Sequence, residues 1–126
     1  MYQRTIVVGY LGSDPEMRYT PDGIPVTNFS VATTRRWTDA EGQPQEKTTW
    51  FRVAAWRKLA ETCNQYLSKG RLVLVDGDID ASAWIGNDGQ ARARLELTAR
   101  TVKFLGKREE RAALPEEEIP EEEIPF

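Results

Sequence analysis

Through most of the chain, apolar and polar residues alternate with the two-residue period of a strand. Arg4 to Leu11 is the first such segment, with Ile6, Val7 and Val8 supplying β-branched bulk. Ser13-Asp14-Pro15 and Thr20-Pro21-Asp22-Gly23 mark turns. Val26 to Arg36 is a second strand, with Phe29, Val31 and Thr33 on one side and Asn28, Ser30 and Thr34 on the other. Thr38 to Lys47 holds Asp39, Glu41, Gly42 and Pro44 and reads as an exposed hairpin loop. Thr48 to Trp56 is a third strand. Phe51, Val53 and Ala55 suit a core, and Trp50, Arg52, Ala54 and Trp56 face the other way. The period then changes. Over Lys58 to Lys69, Leu59, Cys63, Tyr66 and Leu67 form one helical stripe, and Gly70 is a C-terminal stop. Arg71 to Ile79 is a fourth strand that can run on through Trp84, followed by the turn signal Asn87-Asp88-Gly89. In the last strand, Gln90 to Leu105, Ala91, Ala93, Leu95, Leu97 and Ala99 alternate with Arg92, Arg94, Glu96, Thr98 and Arg100.

Three strands, one helix and two strands is the order of an all-β OB-fold, a five-stranded Greek-key barrel with its helix between the third and fourth strands. A sheet packed on one helix has the same order, so periodicity alone does not establish closure. The chain of 126 residues is one domain's worth. The expected division is an OB-fold domain over 1–106 and a short linker with an acidic tail over 107–126. The tail writes Glu-Glu-Glu-Ile-Pro twice and closes on Phe126. It lacks the apolar residues for a core, its prolines oppose helix and strand, and disorder is expected there.

Charge reinforces the division. The net charge is −3, but residues 1–111 carry all 17 basic and 14 of the 20 acidic residues, a balance of +3. Residues 112–126 hold six Glu and no base. A mildly basic body with an acidic interaction tail is the pattern. No apolar run approaches the ~20 residues of a membrane span, and Met1-Tyr2-Gln3-Arg4 does not resemble an export signal. The expected location is cytoplasmic, with no membrane partner. There is no histidine and a single cysteine, Cys63, which excludes Ser-His-Asp and Cys-His catalysis, an internal disulfide and a cysteine-based zinc cluster. A non-enzymatic binding protein without cofactor is expected.

The candidate chemistry lies in four tryptophans set among arginines. Trp37 follows Arg35-Arg36. Trp50 and Trp56 flank Arg52, and Arg57-Lys58 come next. Trp84 shares its side with Asp80 and Ser82. Rings interleaved with cations suit a single strand, because bases stack on the rings and phosphates follow the charge. Trp37, Trp50, Trp56 and Trp84 are therefore candidate stacking residues. Arg35, Arg36, Arg52, Arg57, Lys58, Arg92, Arg94 and Arg100 are candidate phosphate contacts. The competing reading makes the tryptophans core or subunit-interface residues and the cations ordinary solvated faces. It is weakest for Trp50 and Trp56, which lie off the Phe51/Val53/Ala55 side. Asp76, Asp78 and Asp80 share one strand face, but the EF-hand loop needs Gly where Ala81 stands, and no metal is expected.

Together these residues resemble the bacterial single-stranded DNA-binding protein family. Gly12 to Gly23 is similar to its L-G-x-D-P-E-x-R-Y-x-P-x-G segment, and Asn28 to Thr33 to its second strand. Thr49-Trp50-Phe51-Arg52-Val53, Lys58-Leu59-Ala60-Glu61 and Tyr66-Leu67-Ser68-Lys69-Gly70 resemble its third strand and helix. Val75-Asp76-Gly77 with Trp84 resembles its V-x-G…W element. The resemblance implies an OB-fold, assembly as a homotetramer, and non-sequence-specific wrapping of single-stranded DNA near the nucleoid. Its stacking aromatics fall on Trp37, Trp50, Trp56 and Trp84, the third commonly being Phe. Glu121-Glu122-Glu123-Ile124-Pro125-Phe126 resembles the family's acidic tip, with Glu for Asp, which implies docking of replication, repair and recombination proteins. A solubilising tail would need no I-P-F ending. The family's Gly/Gln/Pro-rich linker is nearly absent here. Two other readings compete. A primosome-type OB-fold assembly module working through protein partners would need few exposed aromatics. A metal-dependent nuclease would use Asp76, Asp78 and Asp80.

Overall fold

The computed structural model describes residues 1–106. Its strands are β1 (Thr5–Leu11), β2 (Glu16–Tyr19), β3 (Pro25–Thr38), β4 (Pro44–Trp56), β5 (Leu72–Ile85) and β6 (Ala91–Leu105), with helix α1 (Lys58–Tyr66) between β4 and β5. The strands hydrogen-bond in the order β1-β5-β6-β4-β3-β2. A further pairing of β1 with β3, Tyr10 opposite Ala32 and Leu11 opposite Val31, closes β1, β3, β4, β5 and β6 into a five-stranded barrel. The fold is an OB-fold.

The strand alternation dictates what the barrel buries. Phe29, Val31, Val53, Ala55, Val73, Val75 and Leu97 point inward, and Phe51, Leu59, Ile79, Val102 and Phe104 pack on them. Helix α1 plugs the barrel with Ala60 and Cys63, and Leu67 follows as its C-cap. Thr27 is fully buried with a polar group, which its hydroxyl satisfies by donating to the Ala60 carbonyl at 2.7 Å. Burial pushes the Cys63 thiol up to about 11, so it stays protonated at neutral pH. No helix of the described residues is long and apolar enough to cross a membrane.

Several features differ from expectation. The segment between the first two turns forms the edge strand β2, paired to β3 from Glu16–Asn28 to Tyr19–Pro25. Its four residues are too few for a period to show. The 38–47 loop shrinks to five residues, 39–43, because Pro44 to Lys47 extend β4. There the Asp39 carboxylate accepts the Gln43 and Glu41 N–H groups at 2.9 Å each, and the Gln43 bond above all holds its pKa below the usual value. The helix ends at Tyr66, three residues before the expected Lys69. Tyr66 is exposed, so it does not belong to the buried stripe. Ala91 and Ala93 are exposed too, although alternation with the arginines suggested a half-buried strand. The expected linker and acidic tail, 107–126, lie outside the described residues.

Candidate nucleic-acid interface

The barrel's closure creates the site. β4 and β6 run parallel and pair over only four residues each, Phe51–Ala54 with Leu95–Thr98. Beyond this seam the β3–β4 and β5–β6 hairpins continue as two arms. The first pairs out to Thr38–Pro44 and the second to Ile85–Ala91. Gly89, at φ 80°, turns the second arm in the left-handed conformation that glycine takes freely. Between the arms lies an open groove of about 860 Å³.

Trp50, Arg52, Trp84, Arg92 and Arg94 line this groove, together with Lys47, Ser30 and Ser82. Strands β4, β5 and β6 thus bring two candidate tryptophans, 34 residues apart in the chain, and three candidate arginines to one cleft. The alternation of β4 is as expected. Val53 and Ala55 are fully buried, while Trp50 and Trp56 on the opposite side are 55% and 42% exposed. Trp84 shares its face with Asp80 and Ser82, opposite Arg92, as parity required, and is 39% exposed. No described tryptophan is a core residue, because Trp37 is 40% exposed as well.

The remaining candidates lie elsewhere. Trp56 sits at the other end of β4, six residues or about 20 Å along the strand from Trp50. Arg18 lies in its row through Val26. Arg57 and Lys58 begin the helix beside it. Trp37 is near the tip of the first arm, on the Val31/Phe51 parity rather than that of Trp50. The guanidinium of Arg35 lies 4.8 Å from the Trp37 ring centroid. Arg35 also lines a smaller hollow of about 360 Å³ with Lys47, Thr33, Thr34 and Thr49.

Ion pairing sorts the cations. Arg52, Arg57, Lys58 and Lys47 form no ion pair with a described residue. Arg92 pairs with Asp88 at 2.7 Å, and Arg36 with Glu46 at 3.2 Å. Arg94 lies 5.1 Å from the Trp84 ring centroid and 3.9 Å from Glu96. Arg100 pairs with Asp78 and Arg4 with Asp76, both on the barrel. Arg100 is therefore engaged in the fold and does not line the groove. The same pairs explain the acidic run. The Arg4 bonds, Nε to both carboxylate oxygens at 2.9 Å, hold the Asp76 pKa below its ordinary value. Asp80 stands opposite Glu96 instead. Among the described residues no cluster of three or more His, Cys, Asp or Glu is placed to hold a metal ion. Glu96, which does not itself line the groove, accepts a hydrogen bond from Ser82 at 3.3 Å.

Lys47 and Ser82 were not singled out from the sequence. Lys47 was hidden in the supposed loop, although extending the β4 alternation back from Thr49 and Phe51 would have reached it. Ser82 was visible as a parity neighbour of Trp84 without charge or ring to mark it.

The family model described as the single-strand binding protein family matches residues 2–105. A single-stranded DNA-binding protein of Neisseria meningitidis serogroup A is 46% identical over 107 residues, covering 85% of this chain and 62% of the relative. The chain thus aligns to under two thirds of that protein's length. Single-stranded DNA-binding protein 2 of Chlorobaculum tepidum is 41% identical over 94% of this chain and 80% of its own. Among solved structures, one described as a Plasmodium falciparum SSB complex with ssDNA superposes with a TM-score of 0.73 at 26% identity, covering 84% of this chain and 97% of that one. The fold, the open groove and these matches lead to one statement: the chain belongs to the single-strand binding protein family.

Proposed function

We propose that the protein binds single-stranded DNA without sequence preference and has no catalytic activity. One observation carries this reading. Trp50 and Trp84, both substantially exposed, line a single groove with Arg52, Arg92 and Arg94. An indole stacks on any base at about 1–3 kcal/mol, and a guanidinium meets the phosphate that follows, so the surface accepts every sequence. A duplex hides its base faces and offers such a groove only phosphates. The DNA path runs from the groove along β4 past Arg52 to Trp56, Arg57 and Lys58, with Trp37, Arg35 and Arg36 extending it on the first arm. The names of the relatives support this reading, as does the DNA in the structural neighbour's title.

Residues 1–106 bind DNA, and Glu121-Glu122-Glu123-Ile124-Pro125-Phe126 recruits replication, repair and recombination proteins by placing an apolar Ile-Pro-Phe in a pocket with a basic rim. Assembly as a homotetramer is the expected functional form. The assembly-module alternative, which needs few exposed aromatics, is disfavoured by four exposed tryptophans.

The test is a titration with poly(dT) and with duplex DNA, followed by tryptophan fluorescence at several salt concentrations. Strong quenching by poly(dT), with little response to duplex, is expected. Equal responses to both, or none to poly(dT), would contradict the proposal. Light scattering on the same samples reads the oligomeric state. Pull-down of purified partners with and without residues 116–126 tests the tail.

A further inference from the structure

Trp50 is more than half exposed, yet the far edge of its indole is closely seated. Gly12, just past the end of β1, donates its N–H to the Ser30 carbonyl at 3.0 Å. A Cβ placed on Gly12 would stand 2.7 Å from Cη2 of Trp50 and closer still to Cζ3, with the Ser30 hydroxyl oxygen at 3.4 Å. The six-membered edge of the ring therefore occupies the space that a side chain at position 12 would fill. The register agrees. Trp50 lies opposite Ala32, and Ala32 lies opposite Tyr10, two residues before Gly12. The indole thus leans across β3 onto the end of β1. The backbone does not demand glycine here, since Gly12 is outside the left-handed region. What position 12 requires is the absence of a Cβ, and the group that requires it is Trp50.

We propose that Gly12 is a positioning residue for DNA binding: a bare backbone seat that sets the tilt of the Trp50 ring. This rests on the reading of Trp50 as a stacking platform. Stacking depends on the offset and angle of the two rings, so a tilted indole loses contact with the base even while it stays exposed. A methyl group at position 12 meets the tip of a side chain rather than backbone, so the ring gives way and the strand holds. The substitution therefore separates binding from folding.

The experiment measures the affinity for a dT oligonucleotide of the wild type, Gly12→Ala, Trp50→Ala, Trp50→Phe and Gly12→Ala/Trp50→Phe. Thermal unfolding and ¹⁹F spectra of 5-fluorotryptophan-labelled protein accompany it. Gly12→Ala is expected to keep the wild-type melting temperature and shift the resonance that Trp50→Phe removes. It should weaken binding about ten-fold, within the loss expected for one stacked base. In the Trp50→Phe background it should have no further effect, because phenyl lacks the Cζ3 and Cη2 edge. Wild-type affinity in Gly12→Ala, an equal loss in the Trp50→Phe background, or an unfolded Gly12→Ala would each overturn the inference. Wild-type binding by Trp50→Ala would instead remove the stacking role of Trp50, and the seat with it.

Discussion

The strands β4, β5 and β6 each live in two surroundings. In the barrel half, alternation separates inside from outside: Val53, Val75 and Leu97 are buried, and Arg52 and Asp78 are not. In the arm half the pairing continues from Ala81–Leu95 to Ile85–Ala91, but both faces meet solvent. Ala83, Ala91 and Ala93 are exposed, and Ile85 is 68% exposed. The sequence pattern is the same in both halves, yet only the barrel half has a layer to pack against. A strand's period therefore tells which residues share a side, and closure decides whether that side is dry. The candidate rings and cations of the groove, Trp50, Trp84, Arg92 and Arg94, lie where closure stops, and there their faces stay open while the barrel holds their roots.

The two halves should respond to substitution in opposite ways. Leu97→Ala, on the dry side of the seam, should lower stability by about 2–5 kcal/mol in urea unfolding and leave DNA affinity at the wild-type level wherever the protein is folded. Trp50→Ala, three residues before Val53 on the same strand, should do the reverse. Its affinity for poly(dT) should fall by about 1–3 kcal/mol, with stability within ~0.5 kcal/mol of wild type. A large stability loss in Trp50→Ala would show that the ring belongs to the packing after all.

Arg57 lies at the junction where the strand gives way to the helix. It is the one described non-glycine residue at positive φ, 62°, and its guanidinium has no described ion-pair partner. Such a backbone costs about 1–3 kcal/mol. Arg57→Gly should raise stability by roughly 1 kcal/mol and flatten the logarithmic salt dependence of binding by about 0.7, the share of one phosphate contact. An unchanged salt slope would remove Arg57 from the DNA path.

The smallest expected effect is on the barrel side. Pairing with Arg4 lowers the folded-state pKa of Asp76, so its contribution is fully present above the unfolded value of about 3.8 and fades as pH falls through the lowered value. Acid unfolding of Asp76→Asn should thus show a shallower pH dependence below pH ~4 than the wild type. Arg4 is half exposed, so water screens the pair and the difference should be slight.

Much of this was legible in the sequence. The five long strands, the helix and the opposed faces of β4 followed from period alone, because a long strand with a buried side must alternate. The short strand β2 was too brief to alternate visibly. The exposure of Ala91 and Ala93 depended on where the β4–β6 seam ends, which no local pattern encodes. The groove itself was legible only as parts. Trp50 and Trp84 were each named, but their meeting is a consequence of the parallel seam between strands separated by the helix. Gly12 stands out in the sequence only as the first residue of the family-like Gly12 to Gly23 segment, and its relation to a ring 38 residues away needs the fold.

The proposed interface centres on the groove between the arms, and tryptophan-retaining variants test this most directly. One variant keeps Trp50 and Trp84 and carries Trp37→Phe and Trp56→Phe. The other keeps Trp37 and Trp56 and carries Trp50→Phe and Trp84→Phe. Both are titrated with poly(dT), and the fluorescence of the remaining tryptophans is followed. The expected result is strong quenching and near wild-type affinity in the first variant, with weaker quenching and a clear loss of affinity in the second. Full quenching and affinity in the second variant, with little of either in the first, would move the interface away from the groove.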